Sequence, residues 1–207
     1  MSVTMKEEHS DGLRRLERGF SVVELMIVVL ITFVISAMAL IALQPTIQGF
    51  RANAGMDQVK GALREAREMA TSERRSIWVQ FVLPNTVNLF QVNIGAGGIQ
   101  TIAAQPFVSL PIEGTVQFVN FAGQVDTPEG FGNKAPIYFE STSGGPAAGM
   151  AFQSDGTFVD WGTGAPINGT VFLGVVGVPV SARAITVMGN TGRVRSYSQN
   201  GMGWNEQ

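Results

Sequence analysis

The chain has 207 residues, a formal net charge of -2, one histidine and no cysteine. The missing cysteine excludes disulfide staples, thiolate metal sites and cysteine nucleophiles. The near-neutral charge excludes nucleic-acid binding by bulk electrostatics and leaves it to a local patch.

The first 19 residues are polar and mixed in charge, with Arg14, Arg15 and Arg18 close to their end. From Phe20 to Leu43 the run is apolar, broken only by Ser21, Glu24, Thr32 and Ser36. About 20 apolar residues suffice for a helix to cross a bilayer. Basic residues just before a span keep that side cytoplasmic, so the remainder is predicted to cross. A lone acid in hydrocarbon costs roughly 2.5–3.5 kcal/mol on insertion scales. Glu24 therefore either stays wet among headgroups or finds a cation, and an amine at Phe20 would lie one helical turn away.

Gly19, Phe20 and Glu24, followed by a long apolar helix, resemble the type IV prepilin signal. The resemblance implies cleavage between Gly19 and Phe20 by a prepilin peptidase, N-methylation of Phe20, and an assembly role for Glu24. It also implies a pilin or pseudopilin, stored in the inner membrane with its C-terminal domain in the periplasm and packed with other pilins into a filament. An ordinary secretory signal would place its cleavage site after the apolar run. Here the glycine precedes it, so the anchor survives cleavage.

Pro45 closes the run, and within a helix it removes one hydrogen bond and kinks the axis. Residues 46–76 continue as helix. Ile47, Phe50, Ala54, Val59, Leu63, Ala66 and Ala70 form the expected apolar stripe, with Arg64, Glu65, Arg67, Glu68, Glu73 and Arg74 on solvated faces. Gly49, Gly55 and Gly61 lower helix propensity by up to about 1 kcal/mol each and mark places for local unwinding.

From Ile77 the pattern changes to short β runs broken by turn residues. Residues 77–83 and 86–92 flank Pro84-Asn85 as a hairpin. The glycine cluster at 95–98 lacks the lysine and helix of a phosphate loop and reads as a turn. Strands are expected at 116–121, 137–139 and 170–176, with surface loops at 122–135 and 140–149. Asp155-Gly156 between Phe152 and Phe158 signals a further hairpin, with Asp155 as turn former. Asp126 and Asp160 have no spacing that makes a metal site, and none is expected; no cofactor is implied.

The last hairpin places residues 184–188 against 193–197 around Gly189-Asn190-Thr191-Gly192. The register pairs Met188 with Arg193, Val187 with Val194 and Thr186 with Arg195. Ile185, Val187 and Val194 then face the core, and Arg193 and Arg195 share the other face. Two guanidinium groups on a rigid strand suit phosphate recognition, or they simply keep an edge strand soluble.

A helix followed by short strands, with Phe152 before Asp155-Gly156 and a closing Gly192-Arg193-Val194-Arg195, is similar to the type II secretion protein H and FimT group. In the FimT branch a glycine-arginine-any-arginine motif is associated with DNA binding, which falls here on Gly192, Arg193 and Arg195. The expected fold is α+β and pilin-like: a long N-terminal helix, membrane-spanning in its first half, packed on a β-rich domain. The segments are a leader at 1–19, a membrane and assembly helix at 20–44, its continuation at 45–76 and the β-rich domain at 77–207. Two readings stay open, a type II secretion pseudopilin and a type IV minor pilin that contacts DNA. Catalysis is not expected. His9 would leave with the leader, and neither Lys60 nor Lys134 carries a motif.

Overall fold

The computed structural model describes residues 20–112, 114–201 and 203–207. His9, Arg14, Arg15, Arg18 and Gly19 lie outside the described residues.

The first element, α1 (Val22–Glu73), is 52 residues long and contains Pro45. The chain divides into two compact units, 1–42 and 43–207. In the described part of the first unit, α1 buries almost nothing. Phe20, Leu25, Met26, Leu30, Phe33 and Leu40 are all exposed. This part is long and apolar enough to cross a bilayer.

In the second unit α1 is amphipathic. It buries Ala52, Met56, Val59, Ala62, Leu63, Ala66 and Ala70, at the three- and four-residue spacing of one helix face. The stripe expected from sequence starts too early: Ile47, Phe50 and Ala54 are exposed. α1 does not unwind at its glycines. A Cβ at Gly55 would come within 2.9 Å of Ile112 and Val116, so this glycine lets the helix approach the sheet closely. The helix ends with Arg74 at φ 52 and a hydrogen bond from Arg75 N–H to Ala70 C=O. That is a Schellman-type stop with arginine where glycine is usual.

Among the described residues, thirteen strands follow. They are β1 (Ile77–Val82), β2 (Thr86–Ile94), β3 (Gln100–Ile102), β4 (Val108–Pro111) and β5 (Val116–Phe118). Then come β6 (Ile137–Ser141), β7 (Gly145–Pro146), β8 (Met150–Phe152) and β9 (Phe158–Asp160). The chain closes with β10 (Gly169–Val175), β11 (Arg183–Met188), β12 (Arg193–Asn200) and β13 (Gly203–Glu206). They form two antiparallel sheets. One has the order β3-β2-β1-β8-β9 with β4 also on β2, and the other β13-β12-β11-β10-β6-β7 with β5 on β10.

The three hairpins read from sequence are present: β1–β2, β8–β9 and β11–β12. The last has the expected register, Met188 with Arg193, Val187 with Val194 and Thr186 with Arg195. Asp155 is a turn former, its Oδ1 accepting from Thr157 N–H at 2.9 Å. The glycine cluster makes one 3-10 turn at Ala96–Gly98. Segment 140–149 is not all loop, since β6 extends to Ser141 and Gly145–Pro146 pairs back on it.

One apolar core lies between α1 and the two sheets. It takes Val59 and Leu63 from the helix, Ile77, Leu89 and Phe152 from one sheet, and Val171, Ile185, Val187 and Val194 from the other. All seven residues of β10 are buried, because its outer face is covered too. There Phe172, Ala184 and Tyr197 pack with Trp204 of β13. Segment 122–135, expected as a surface loop, crosses this region. Gln124 and Thr127 in it are buried, and Val125 C=O accepts from Trp204 Nε1 at 3.0 Å.

Candidate functional site

The turn between β11 and β12 is built by contacts that tolerate only glycine. A Cβ at Gly189 would stand 2.5 Å from Ile167 N. Gly192 has φ +60, and a Cβ there would stand 2.0 Å from Gly156 C=O. The β8–β9 and β11–β12 turns therefore meet backbone to backbone. Arg67 of α1 lies against both: its Nε donates to Gly156 C=O at 3.3 Å, and it lines the space around Gly192.

This junction shapes a groove of about 610 Å³ lined by Arg64, Arg67, Glu68, Met188, Thr191, Gly192, Arg193 and Val194. Arg193 is exposed. Among the described contacts, the side chains of Arg64 and Arg193 make no hydrogen bond or ion pair, and Arg67 uses only Nε. Three guanidinium groups against one carboxylate, Glu68, make the groove basic in a chain that is slightly acidic overall. Such a set can hold phosphate oxygens through paired N–H donors.

Arg195 is differently placed. Its Nη1 lies 3.3 Å from Glu129 Oε1, and its Nε lies 3.4 Å from Glu206 Oε1. The Tyr197 hydroxyl also donates to Glu129 Oε1. The hydrogen bond with Tyr197 leads the influences that hold the Arg195 pKa above the ordinary arginine value, with Glu206 and Glu129 adding to it. Burial, helped by the bond to Glu129, raises the Tyr197 phenol. Two carboxylates thus occupy Arg195, and the strand pair expected from sequence is divided: Arg193 faces the groove and Arg195 is committed to internal ion pairs.

By sequence alone, Arg64 and Arg67 belong to a solvated helix face. Their i, i+3 spacing places them together, but only the docking of α1 under the two turns turns that face into a groove wall. Glu129 carried no signal, because its role depends on a loop laid across a sheet.

Arg183, not singled out in the sequence, is buried. Its Nε donates to Asn53 Oδ1 at 2.6 Å, Nη2 to Gly49 C=O at 3.3 Å and Nη1 to Ala182 C=O at 2.8 Å. Burial lowers its pKa. Lys60 Nζ lies 2.7 Å from Ser196 Oγ. That serine is fully buried, and its hydroxyl also bonds the Gln207 carbonyl, so the pair ties α1 to β12. Asp160 is buried and accepts from Ser141 Oγ at 2.7 Å and Gly162 N–H at 3.0 Å. Burial opposes its charge, yet these donors together hold the carboxyl below its ordinary value. Asp126 instead bonds the backbone of Thr127 and Gly132. Among the described residues no three acidic or histidine side chains gather to hold a metal.

At the other end of α1, Glu24 is in the first turn and is exposed. Phe20 is 78% exposed. A carboxylate in a first turn is favoured by the helix dipole.

No family model matches the chain, and no curated protein matches it. Among solved structures it is similar to the type IV minor pilin FimU of Pseudomonas aeruginosa, with 16% identity over 74% of this chain and 91% of that one, at a TM-score of 0.44. A second crystal form of FimU gives 16% identity, 74% and 96% coverage and a TM-score of 0.43. The minor pseudopilin EpsH from the type 2 secretion system of Vibrio cholerae gives 14% identity, 72% and 97% coverage and a TM-score of 0.43.

Proposed function

We propose that this chain is a minor pilin or minor pseudopilin, a structural subunit that works by assembly and not by turnover. The observation that carries this reading is α1 in its sequence context. It follows the Gly19-Phe20 junction, carries Glu24 in its first turn, is apolar and exposed through its first half, and buries one face under two sheets in its second. In this reading a prepilin peptidase cuts after Gly19 and Phe20 becomes the methylated terminus. The subunit waits in the inner membrane with its β-rich domain in the periplasm, and then joins other pilins or pseudopilins in a type II secretion pseudopilus or a type IV pilus. Glu24 pairs with the Phe20 amine of its own or a neighbouring subunit, since an unpaired acid among packed apolar helices is costly.

The test is Glu24→Ala, followed by membrane fractionation and by recovery in sheared filaments. Insertion should be retained and incorporation lost. Normal incorporation would sink the assembly role of Glu24.

A second reading, contact with DNA, is favoured by one observation: Arg64, Arg67 and Arg193 converge on one groove. Binding there would be weak and salt-sensitive, because few phosphates could be neutralised at once.

A further inference from the structure

We propose that a pocket beside β9, at one edge of the β3-β2-β1-β8-β9 sheet, binds a neutral saccharide through Trp161 and a ring of uncharged polar side chains. The site lies wholly within the unit 43–207 and stands apart from the assembly reading above.

The pocket encloses about 400 Å³, and its lining includes Ser76, Gln100, Gln153, Ser154, Asp160 and Trp161. That volume is within the range of small-molecule sites. Distant elements supply these residues. The pairing of Ile77 with Phe152 sets Ser76 beside Gln153. The β2–β3 hairpin runs past the start of β1 and brings Gln100. β9 has only three residues, so the pocket reaches from Ser154 in the turn before it to Trp161 just after it. The backbone beneath is fixed. Ser76 C=O accepts from Val92 N–H at 3.1 Å, Gln153 N–H donates to Thr157 C=O at 2.9 Å, and Trp161 N–H donates to Gly149 C=O at 3.0 Å. Buried Asp160 holds the turn that carries Trp161. Its Oδ1 accepts from Gly162 N–H at 3.0 Å and its C=O from Gly164 N–H at 2.7 Å.

Five of these side chains are unengaged. Among the described contacts, those of Ser76, Gln100, Gln153, Ser154 and Trp161 make no hydrogen bond or ion pair. Two hydroxyls, two amides and an indole N–H are thus left to donate and accept around one space. Trp78 stacks against Phe90 and Trp204 against Phe172. Trp161 has no ring partner among the described residues and is half-buried. The lining decides the class of ligand. It contains no lysine or arginine, so nothing there compensates an anion. A metal needs several converging oxygens, and those of Asp160 already accept from Gly162 N–H and Ser141 Oγ. Apart from the Trp161 ring, Val159 is the one large apolar side chain in the lining, too little for an apolar ligand. An uncharged ligand with many hydroxyls and one C–H face fits. A sugar ring is such a ligand: its C–H face packs on an indole, and its hydroxyls exchange hydrogen bonds with amides and hydroxyls.

The test uses the full-length protein in a zwitterionic detergent, because glucoside and maltoside headgroups would compete. Ligand-observed saturation-transfer NMR would be recorded with glucose, galactose, N-acetylglucosamine, cellotriose and chitotriose, and with glucuronate as the anionic control. At least one neutral sugar should give a saturable signal with a roughly millimolar or tighter Kd. Trp161→Ala should abolish it. Gln153→Ala, a milder change at a partly exposed position, should weaken binding about threefold or more. Arg193→Ala, in the basic groove, should leave it unchanged. Tighter binding of a trisaccharide than of its own monosaccharide would support the site as one for a glycan chain, and equal binding as one for a single sugar. No saturable signal from any neutral sugar would overturn the proposal. So would a signal that survives both Trp161→Ala and Gln153→Ala, or a preference for glucuronate. Each of these failures leaves the assembly reading standing, since that is tested by Glu24→Ala.

Discussion

The Arg195 guanidinium is spoken for: its Nη1 lies 3.3 Å from Glu129 Oε1. Glu129 sits in a segment that crosses the outer face of the β10–β12 sheet, and its side chain is only 9% exposed. A polyanion competing for Arg195 would have to displace a nearly buried carboxylate, and Glu206 at 3.4 Å as well. Arg193, two residues earlier, carries no such partner among the described contacts.

The two arginines should therefore behave differently in DNA titrations. With full-length protein in detergent and a labelled duplex at low salt, Arg64→Ala/Arg193→Ala is expected to abolish binding. Arg195→Ala should leave affinity within about twofold. Each groove arginine removed should also flatten the salt dependence by about one unit of slope. A larger loss from Arg195→Ala than from the groove pair would show that the strand pair, and not the groove, contacts the duplex.

Gly192 should prove structural before it proves functional. Adding a Cβ there drives it to 2.0 Å from Gly156 C=O, in a backbone region that side chains rarely adopt. Gly192→Ala is expected to cost on the order of 2 kcal/mol or more, measured by thermal unfolding in detergent. An unchanged melting temperature would mean that the two turns do not meet as described.

The end of α1 offers the opposite sign. Arg74 occupies a left-handed conformation, φ 52, at the position where glycine is favoured. The neighbouring Glu73 ion-pairs with Arg75, not with Arg74. Arg74→Gly should raise stability by up to about 1 kcal/mol, as relief of left-handed strain predicts. Destabilisation would indicate that the arginine side chain contributes a contact of its own.

Acid should loosen the β8–β9 region through Asp160. Its carboxyl is held below the ordinary value by donors that include Ser141 Oγ and Gly162 N–H, against the opposing effect of burial. A group with a depressed folded pKa contributes stability above its unfolded pKa, near 3.8, and loses it as pH falls through the folded value. Wild type should thus lose stability below about pH 4, and Asp160→Asn should show a shallower acid limb in unfolding curves recorded from pH 2 to 7. Superimposable limbs would exclude Asp160 from the acid response.

Much of the fold was legible because its signals are local. Asp155-Gly156 and Gly189-Asn190-Thr191-Gly192 set turns, and the strict alternation of strand side chains then places Val187 and Val194 inward once one pair is in register. The strands that escaped notice, β3, β4, β7 and β13, are two to four residues long. They are strands because a neighbour supplies a ladder, and no pattern of that length is distinctive. Ile47, Phe50 and Ala54 misled the helix stripe for a related reason: spacing reports a face, and only docking decides which face is covered and where coverage begins.

The candidate site divides along the same line. Local signals suffice for the apolar run with Glu24 near its start, the helical continuation past Pro45, the three hairpins and the register that sends Arg193 and Arg195 to one side. These depend on chain neighbours and on the periodicities of helix and strand. Packing of distant elements brings Arg193 to Arg64 and Arg67, sets Glu129 and Glu206 against Arg195, and lets Arg183 fasten Val180 beside Gly49. The ties of Arg195 to Glu129, of Arg183 to Gly49 and of Arg193 to the α1 arginines each span more than 60 positions, and that of Arg195 to Glu206 spans 11. Charge and hydrogen bonding act over a few ångströms, so such contacts exist only after the core has brought their elements together.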